Sequence, residues 1–240
     1  MRSNSHIGRL GKRAPKVPAA LLLLTGLGLA LTPSTSAVIA PNVIANGDYS
    51  LGLAGWTHGA TNNLPPPALV PSCAANGGDM ASYSSIPGGR FSWQQLAVPL
   101  APSYKLEFDA RLTGALTGPA GSRVLVASGW TPATGGSLNQ VAVDFRGGSV
   151  LLMVSSAGLG VVSAPMPTDG LCHHYEVYLL WAAQPTDRHA WLLVDGVQTL
   201  HAVGTAQMPP GTVIIVGGVS CCLDPEPDLA LDNLQFGPWV

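Results

Sequence analysis

The sequence predicts an all-β protein built as one antiparallel sandwich of two sheets. Three observations carry that prediction. Residues 104–112 alternate strictly between apolar and charged side chains, Asp195-Gly196 separates two short apolar runs, and beyond the N-terminal region no stretch of twelve residues keeps a helical apolar period. Period 2 belongs to strands, Asp-Gly to two-residue hairpins, and a period of 3.6 to helices.

The N-terminus comes first. Residues 1–18 hold Arg2, Arg9, Lys12, Arg13 and Lys16 and no acid, and an apolar run of 13 residues, Ala19 to Leu31, follows. Thr32-Pro33-Ser34-Thr35-Ser36-Ala37 then supplies small and turn-forming residues. Basic, apolar, small is the order of a secretory signal peptide. The apolar run is too short for a bilayer, which takes about 20 residues. Cleavage is expected after Ala37, giving a signal peptide over 1–37 and a secreted, extracellular or periplasmic, domain over 38–240 that does not span a membrane.

Removing that segment changes the charge. Five of the 11 basic residues and none of the 13 acids precede residue 38, which leaves six against thirteen and a net charge of −7. Nucleic acid is a poor partner for such a surface. Only 10% of the chain is charged, while it has 29 Gly and 21 Pro. Many short strands joined by tight turns account for both figures.

Along the chain, Tyr104, Leu106, Phe108, Ala110 and Leu112 form a core face, and Lys105, Glu107, Asp109 and Arg111 form a solvated one. Further strands are predicted at 91–98, 123–130, 140–145, 149–155, 173–181, 190–194, 197–203, 212–216 and 229–236. Arg146-Gly147-Gly148 and Asp195-Gly196 read as hairpin turns.

Two stretches resemble known families. Asn42 to Ser50, followed by Gly52-Leu53-Ala54-Gly55-Trp56, resembles the opening of jelly-roll carbohydrate-binding modules with the galactose-binding-domain-like fold. Leu229 to Phe236, with Asp232-Asn233, is similar to their last strand. Cys172-His173-His174-Tyr175 and Val194-Asp195-Gly196-Val197 resemble the hairpin of laminin-G-like, concanavalin-type lectin sandwiches. Both resemblances imply a jelly-roll sandwich that binds carbohydrate or polysaccharide. The first also implies a structural Ca2+ held by a first-strand carboxylate and a last-strand Asp. Asp232 matches the latter. Ser50 stands at the former, with Asp48 nearby, and Asp228 is a further oxygen source beside Asp224 and Glu226. An incomplete carboxylate set weakens a site for an ion that takes 6 to 8 oxygens.

Sugar rings pack their C–H faces on flat aromatics and need polar partners at the rim. Trp56, Trp181 and Trp191 read as core. Trp93 and Trp130, with Tyr83 and Arg90 bordering the early loops, are the candidate sugar-binding residues.

Cys73, Cys172, Cys221 and Cys222 are four cysteines in an exported chain, consistent with two disulfides. The expected pairing joins Cys73 and Cys172 each to one of Cys221 and Cys222. The alternative is Cys73–Cys172 with a vicinal bridge. A thiolate–imidazole metal site from Cys172, His173, His174 and the Cys221-Cys222 pair has no CxxC or HxxxH spacing behind it.

Enzyme motifs such as GxSxG, HExxH, the P-loop and GxGxxG are absent. Two carboxylates about 5 to 9.5 Å apart would suit glycoside hydrolysis, and Asp144 with Glu176 is the pair a sandwich could bring together. Tyr175, His173 and Arg146 are raw material for a lyase. The reading taken forward is a non-catalytic, lectin-like carbohydrate-binding module. The alternatives are an extracellular polysaccharide-degrading enzyme and a structural or adhesive surface protein.

Overall fold

The computed structural model describes residues 38–39, 41–60, 66–73, 77–83, 90–97, 101–114, 122–130, 137–146, 149–156, 160–180, 187, 189–203, 213–221 and 228–239. All of them lie in one compact unit, Thr32–Val240. The strands are β1 (Thr57–Ala60), β2 (Ala68–Pro71), β3 (Asp79–Ser82), β4 (Arg90–Ala97), β5 (Ser103–Thr113), β6 (Ser122–Trp130) and β7 (Ser137–Arg146). They continue with β8 (Ser149–Ser156), β9 (Gly160–Pro165), β10 (Cys172–Leu180), β11 (His189–Val194), β12 (Val197–Val203), β13 (Val213–Cys221) and β14 (Asp228–Pro238). Among the described residues no helix is long and apolar enough to cross a membrane.

Two seven-stranded sheets result. The first has the order β1-β4-β13-β6-β7-β8-β9 and the second β12-β11-β10-β5-β14-β3-β2. Every pairing is antiparallel. The core lies between the sheets. Val126, Val141, Val143, Ala164 and Val216 come from the first, and Phe108, Tyr175, Val177, Leu192, Leu231 and Phe236 from the second. The predicted inward face of β5 is buried throughout, from Tyr104 to Leu112. Its charged face is not simply solvated, since Lys105 is only 2% exposed.

The hairpins form where the turn chemistry places them. Asp195 and Gly196 take φ of 52° and 74°, both left-handed, as a two-residue turn with native strand twist requires. Arg146 pairs with Ser149, leaving two residues between β7 and β8.

Two expectations are corrected. The first strand expected within Asn42–Ser50 is a succession of turns. Asn46 and Tyr49 take φ of 52° and 50°. The Asn46 side chain ties the loop by donating to Gly52 O (2.8 Å) and Ala54 O (3.0 Å) and accepting from Leu51 N (3.0 Å). The segment still lies along β14. β3 pairs with β14 at Ala230 and Leu231, and beyond that Val43 N donates to Phe236 O and Leu234 N to Gly47 O. A side chain at Gly47 would collide with the Leu234 carbonyl, so glycine is what lets the turn approach.

The second correction concerns the disulfides. Cys73 bonds to Cys172, not to Cys221 or Cys222. Cys172 has outward parity on β10, and the bridge ties the chain leaving β2 to it although β3, β14 and β5 lie between the two strands in the sheet. Cys73 Sγ lies 3.5 Å from Met80 Sδ beneath this strap, and Met80 is fully buried. Cys221 ends β13. Cys222 lies outside the described residues, as do Trp181, Asp224 and Glu226.

Candidate functional site

The sugar-binding candidates separate. Alternation along β4 turns Ser92 and Gln94 inward, where both are buried, and turns Phe91, Trp93 and Gln95 outward. Trp93 is half-buried on the outer face of the first sheet, with Gln95 exposed beside it. Its cross-strand neighbours are Thr57 on one side and Gly217 on the other. Neither is large enough to cover an indole. Phe91 stands two residues away opposite Gly59, whose missing side chain makes room for the phenyl ring. Arg90 pairs with Ala60 in the backbone at the start of β4, next along the same edge. Trp130 closes β6 opposite Val213, level with Ala97. That is about 13 Å of backbone along the strand direction from Trp93 at 3.3 Å per residue. Tyr83 is a correction. It is 1% exposed, and its hydroxyl pairs with Ser92 Oγ at 2.7 Å. An aromatic ring in the core offers no face to a sugar.

The outer face of the second sheet carries most of the polar chemistry, laid out in cross-strand rows. One row holds Leu193, Glu176, Glu107 and Gln235, and the next holds Trp191, Tyr178, Lys105 and Gly237. Lys105 forms ion pairs with Glu107 and with Glu176, the latter at 2.7 Å. Its ammonium sits 4.8 Å from the centroid of the Tyr178 ring. Tyr178 donates to Glu176 Oε2 at 2.6 Å. Burial pulls the Lys105 pKa down, but the contacts with Glu107, Glu176 and Tyr178 outweigh it and hold the ammonium protonated well into the alkaline range. Burial pushes Glu176 up, but Lys105 and Tyr178 outweigh that and hold it below its ordinary value. Burial and the Glu176 hydrogen bond push Tyr178 up to about 12.

Glu107, His174 and Glu176 place ligand atoms within 4.8 Å of one another, a triad able to hold a metal ion. The Lys105 ammonium already supplies positive charge between the two glutamates. The third row joins this cluster to another. His174 Nδ1 lies 2.7 Å from Asp109 Oδ1, and Asn233 Nδ2 donates to Asp109 Oδ2 at 2.6 Å. Asp232 stands opposite Asp109.

Asp232 is fully buried. A bulge in β14 between Asp232 and Gln235, with Asn233 at φ 51°, lets both Leu231 and Leu234 enter the core while Asp232 faces outward. Ser72, on the strap leading to the disulfide, donates its hydroxyl to Asp232 Oδ2, and Asn233 N donates to Oδ1 at 2.8 Å. Burial raises the Asp232 pKa against these two hydrogen bonds, and the charges of Asp109 and Asp48 raise it further. The Asp48 carboxylate accepts from Ser50 N and Ser50 Oγ. Asp228 is four residues upstream, opposite Thr113, about 13 Å along the strand by the same rise and outside this cluster. The charges of Asp109 and Asp48 both act on this buried carboxylate. A calcium ion, which takes oxygen donors, would draw on Asp232, Asp48 and the Ser72 hydroxyl.

Asp144 and Glu176 do not meet. Asp144 lies in β7 of the first sheet and Glu176 in β10 of the second, each at the parity opposite its core neighbours Val143 and Val177. Sequence reasoning missed Lys105, Tyr178, Asp109 and Phe91 as site residues. The alternating charges of β5 were the available signal for the first and third, and only the β5–β10 register shows what they meet.

No protein-family model matches the chain, nor does any curated protein. Solved structures do. The Emp47p carbohydrate recognition domain is 14% identical with a TM-score of 0.57, covering 85% of this chain and 100% of that one. A sialidase is 12% identical with a TM-score of 0.52, covering 82% of this chain and 18% of its own. An alginate lyase from Alteromonas sp. 272 is 11% identical with a TM-score of 0.46, covering 81% of this chain and 97% of that one. The first two place the chain among β-sandwich folds.

Proposed function

We propose that this protein is an exported, non-catalytic carbohydrate-binding module stabilised by a calcium ion at Asp232. The observation that carries the reading is the outward Phe91–Trp93–Gln95 ladder of β4, flanked by Gly59, Thr57 and Gly217. Flat aromatic surface with small neighbours and an adjacent amide suits the C–H face and hydroxyls of a sugar. The fold shared with a carbohydrate recognition domain supports it. A disulfide is at home in an oxidising, extracytoplasmic compartment.

Polysaccharide cleavage is the second reading, favoured by the proximity of Glu107, Glu176 and His174. Acid–base hydrolysis needs one carboxyl kept protonated. Lys105 pairs with both glutamates and Glu176 is held ionised, which favours binding over hydrolysis.

The test is a pull-down of the protein on a panel of soluble and insoluble polysaccharides, with the supernatant assayed for reducing ends and unsaturated products. Retention without released sugar, lost in Trp93→Ala with an unchanged circular dichroism spectrum, is expected. Sugar release that disappears in Glu176→Gln would replace this reading with the enzymatic one.

A further inference from the structure

We infer that the glycan held on the Phe91–Trp93–Gln95 ladder is an uncharged polysaccharide and not a polyuronate. The inference rests on the ladder being the sugar site and adds the class of sugar it takes. A carboxylate brought onto an aromatic strip loses water and needs a cation or several N–H donors in exchange. The cross-strand neighbours of Trp93 are Thr57 and Gly217, and those of Phe91 are Gly59 and Val219. A side chain at Gly217 would strike the Ser92 carbonyl and the Trp93 backbone, and one at Gly59 would strike the Phe91 ring. Packing therefore closes two of these four positions to any charged residue, and the other two hold a threonine and a valine. Thr57 and Gln95 are both exposed and offer a hydroxyl and an amide, neutral groups that donate and accept. Sugar hydroxyls also do both, whereas a carboxylate only accepts.

The cations of the chain lie elsewhere. Residues 38–240 hold six basic residues against thirteen acidic ones. Lys105 and Arg111 are on β5 in the other sheet, and Lys105 is taken up by Glu107 and Glu176. Arg123 stands opposite Asp144 on β7. Arg146 ends β7, three strands from β4. Arg188 lies outside the described residues. Arg90 opens β4 beside Phe91, but alternation gives it the parity of the inward Ser92 and Gln94. Nothing local thus offsets the excess of acids, which repels a polyanion at long range until salt screens it.

The probes are soluble glucan, mannan and galactan, each compared with the same polymer bearing carboxylates at C6, so that the members of a pair differ at that carbon alone. Calorimetric titration of the protein should show a neutral polymer binding, with binding lost in folded Trp93→Ala. Its carboxylated form should bind at least about tenfold more weakly, as an anion without a partner requires. The gap should narrow between about 10 mM and about 1 M salt, as the screening length falls from about 30 Å to about 3 Å. Thr57→Arg, which sets a cation beside the indole, should raise the affinity for the carboxylated form and leave that for the neutral form little changed. Equal or tighter binding of a carboxylated polymer, lost in Trp93→Ala, would overturn the inference and keep the ladder as the sugar site. Binding that survives in Trp93→Ala, or none with any probe at about 1 mM, would overturn the ladder itself and the inference with it.

Discussion

Asp109 and Asp232 stand directly opposite each other across β5 and β14, both facing out of the second sheet. Like charges at such a position repel, and the two carboxylates are treated differently. Asp109 is met by His174 and Asn233. Asp232 accepts hydrogen bonds from the neutral donors Ser72 and Asn233, and burial raises its pKa. A raised acid pKa means stability that is full at low pH and lost as pH climbs through the folded value. A bound cation would reverse that loss.

Asp232→Asn should therefore stabilise the chelator-treated protein near pH 7 by about 1 kcal/mol, the size of one cross-strand repulsion. It should also abolish any rise of Tm on adding Ca2+. Thermal melts of parent and variant with calcium and with chelator check both. A Ca2+ response that survives in Asp232→Asn would place the ion elsewhere.

Lys105→Met should be strongly destabilising. The lysine side chain is 3% exposed and faces two carboxylates. Removing one partner of a buried ion pair costs about 3–5 kcal/mol, because the remaining charge stays buried without compensation. Adding Glu107→Gln and Glu176→Gln to Lys105→Met should recover much of the loss. Urea unfolding of the single and triple variants measures this, and a loss of under 1 kcal/mol in the single variant would mean water reaches the cluster freely.

His173 should make stability depend on pH. Its Nδ1 lies 2.7 Å from Asp195 Oδ2 and its Nε2 lies 3.0 Å from Asp169 Oδ1, so both nitrogens donate when the ring is charged. Burial lowers its pKa, but the bonds to Asp195 and Asp169 outweigh that and raise it. A raised histidine pKa gives stability that is fully present below the unfolded value, about 6.5, and lost as pH rises through the folded one. The stability difference between the parent and His173→Gln should be largest near pH 5.5 and shrink by pH 8.5, read from urea midpoints at the two pH values. A difference that grows with pH would show that the charged ring is not what the two aspartates hold.

Cys73→Ala with Cys172→Ala should lower stability by roughly 4–5 kcal/mol in the chain-entropy view, since the bridge closes a sequence separation of 99 residues. It should also expose Met80, now buried under the strap, to oxidation by dilute peroxide. Peptide mass mapping reports that oxidation, and a Met80 that stays protected would show that the strap keeps its place without the bond.

What the sequence by itself determined was local. The alternation of Tyr104 to Leu112 sets which β5 residues enter the core, because a pleated strand sends neighbours to opposite faces. Asp195-Gly196 sets the β11–β12 hairpin, because both positions need left-handed backbone that Asp and Gly tolerate. The tertiary structure decided everything that depends on which strand lies beside which. Cys73, just after β2, finds Cys172 on β10, with three strands between them in the sheet, and Lys105 finds Glu176 on β10, 71 positions further along the chain. Tyr83 goes into the core, and the expected first strand becomes turns held to the free edge of β14. Residue type and period carry no record of cross-strand register. Register is set jointly by burial of both sheets, and it places the charged rows and the Asp109–Asp232 opposition.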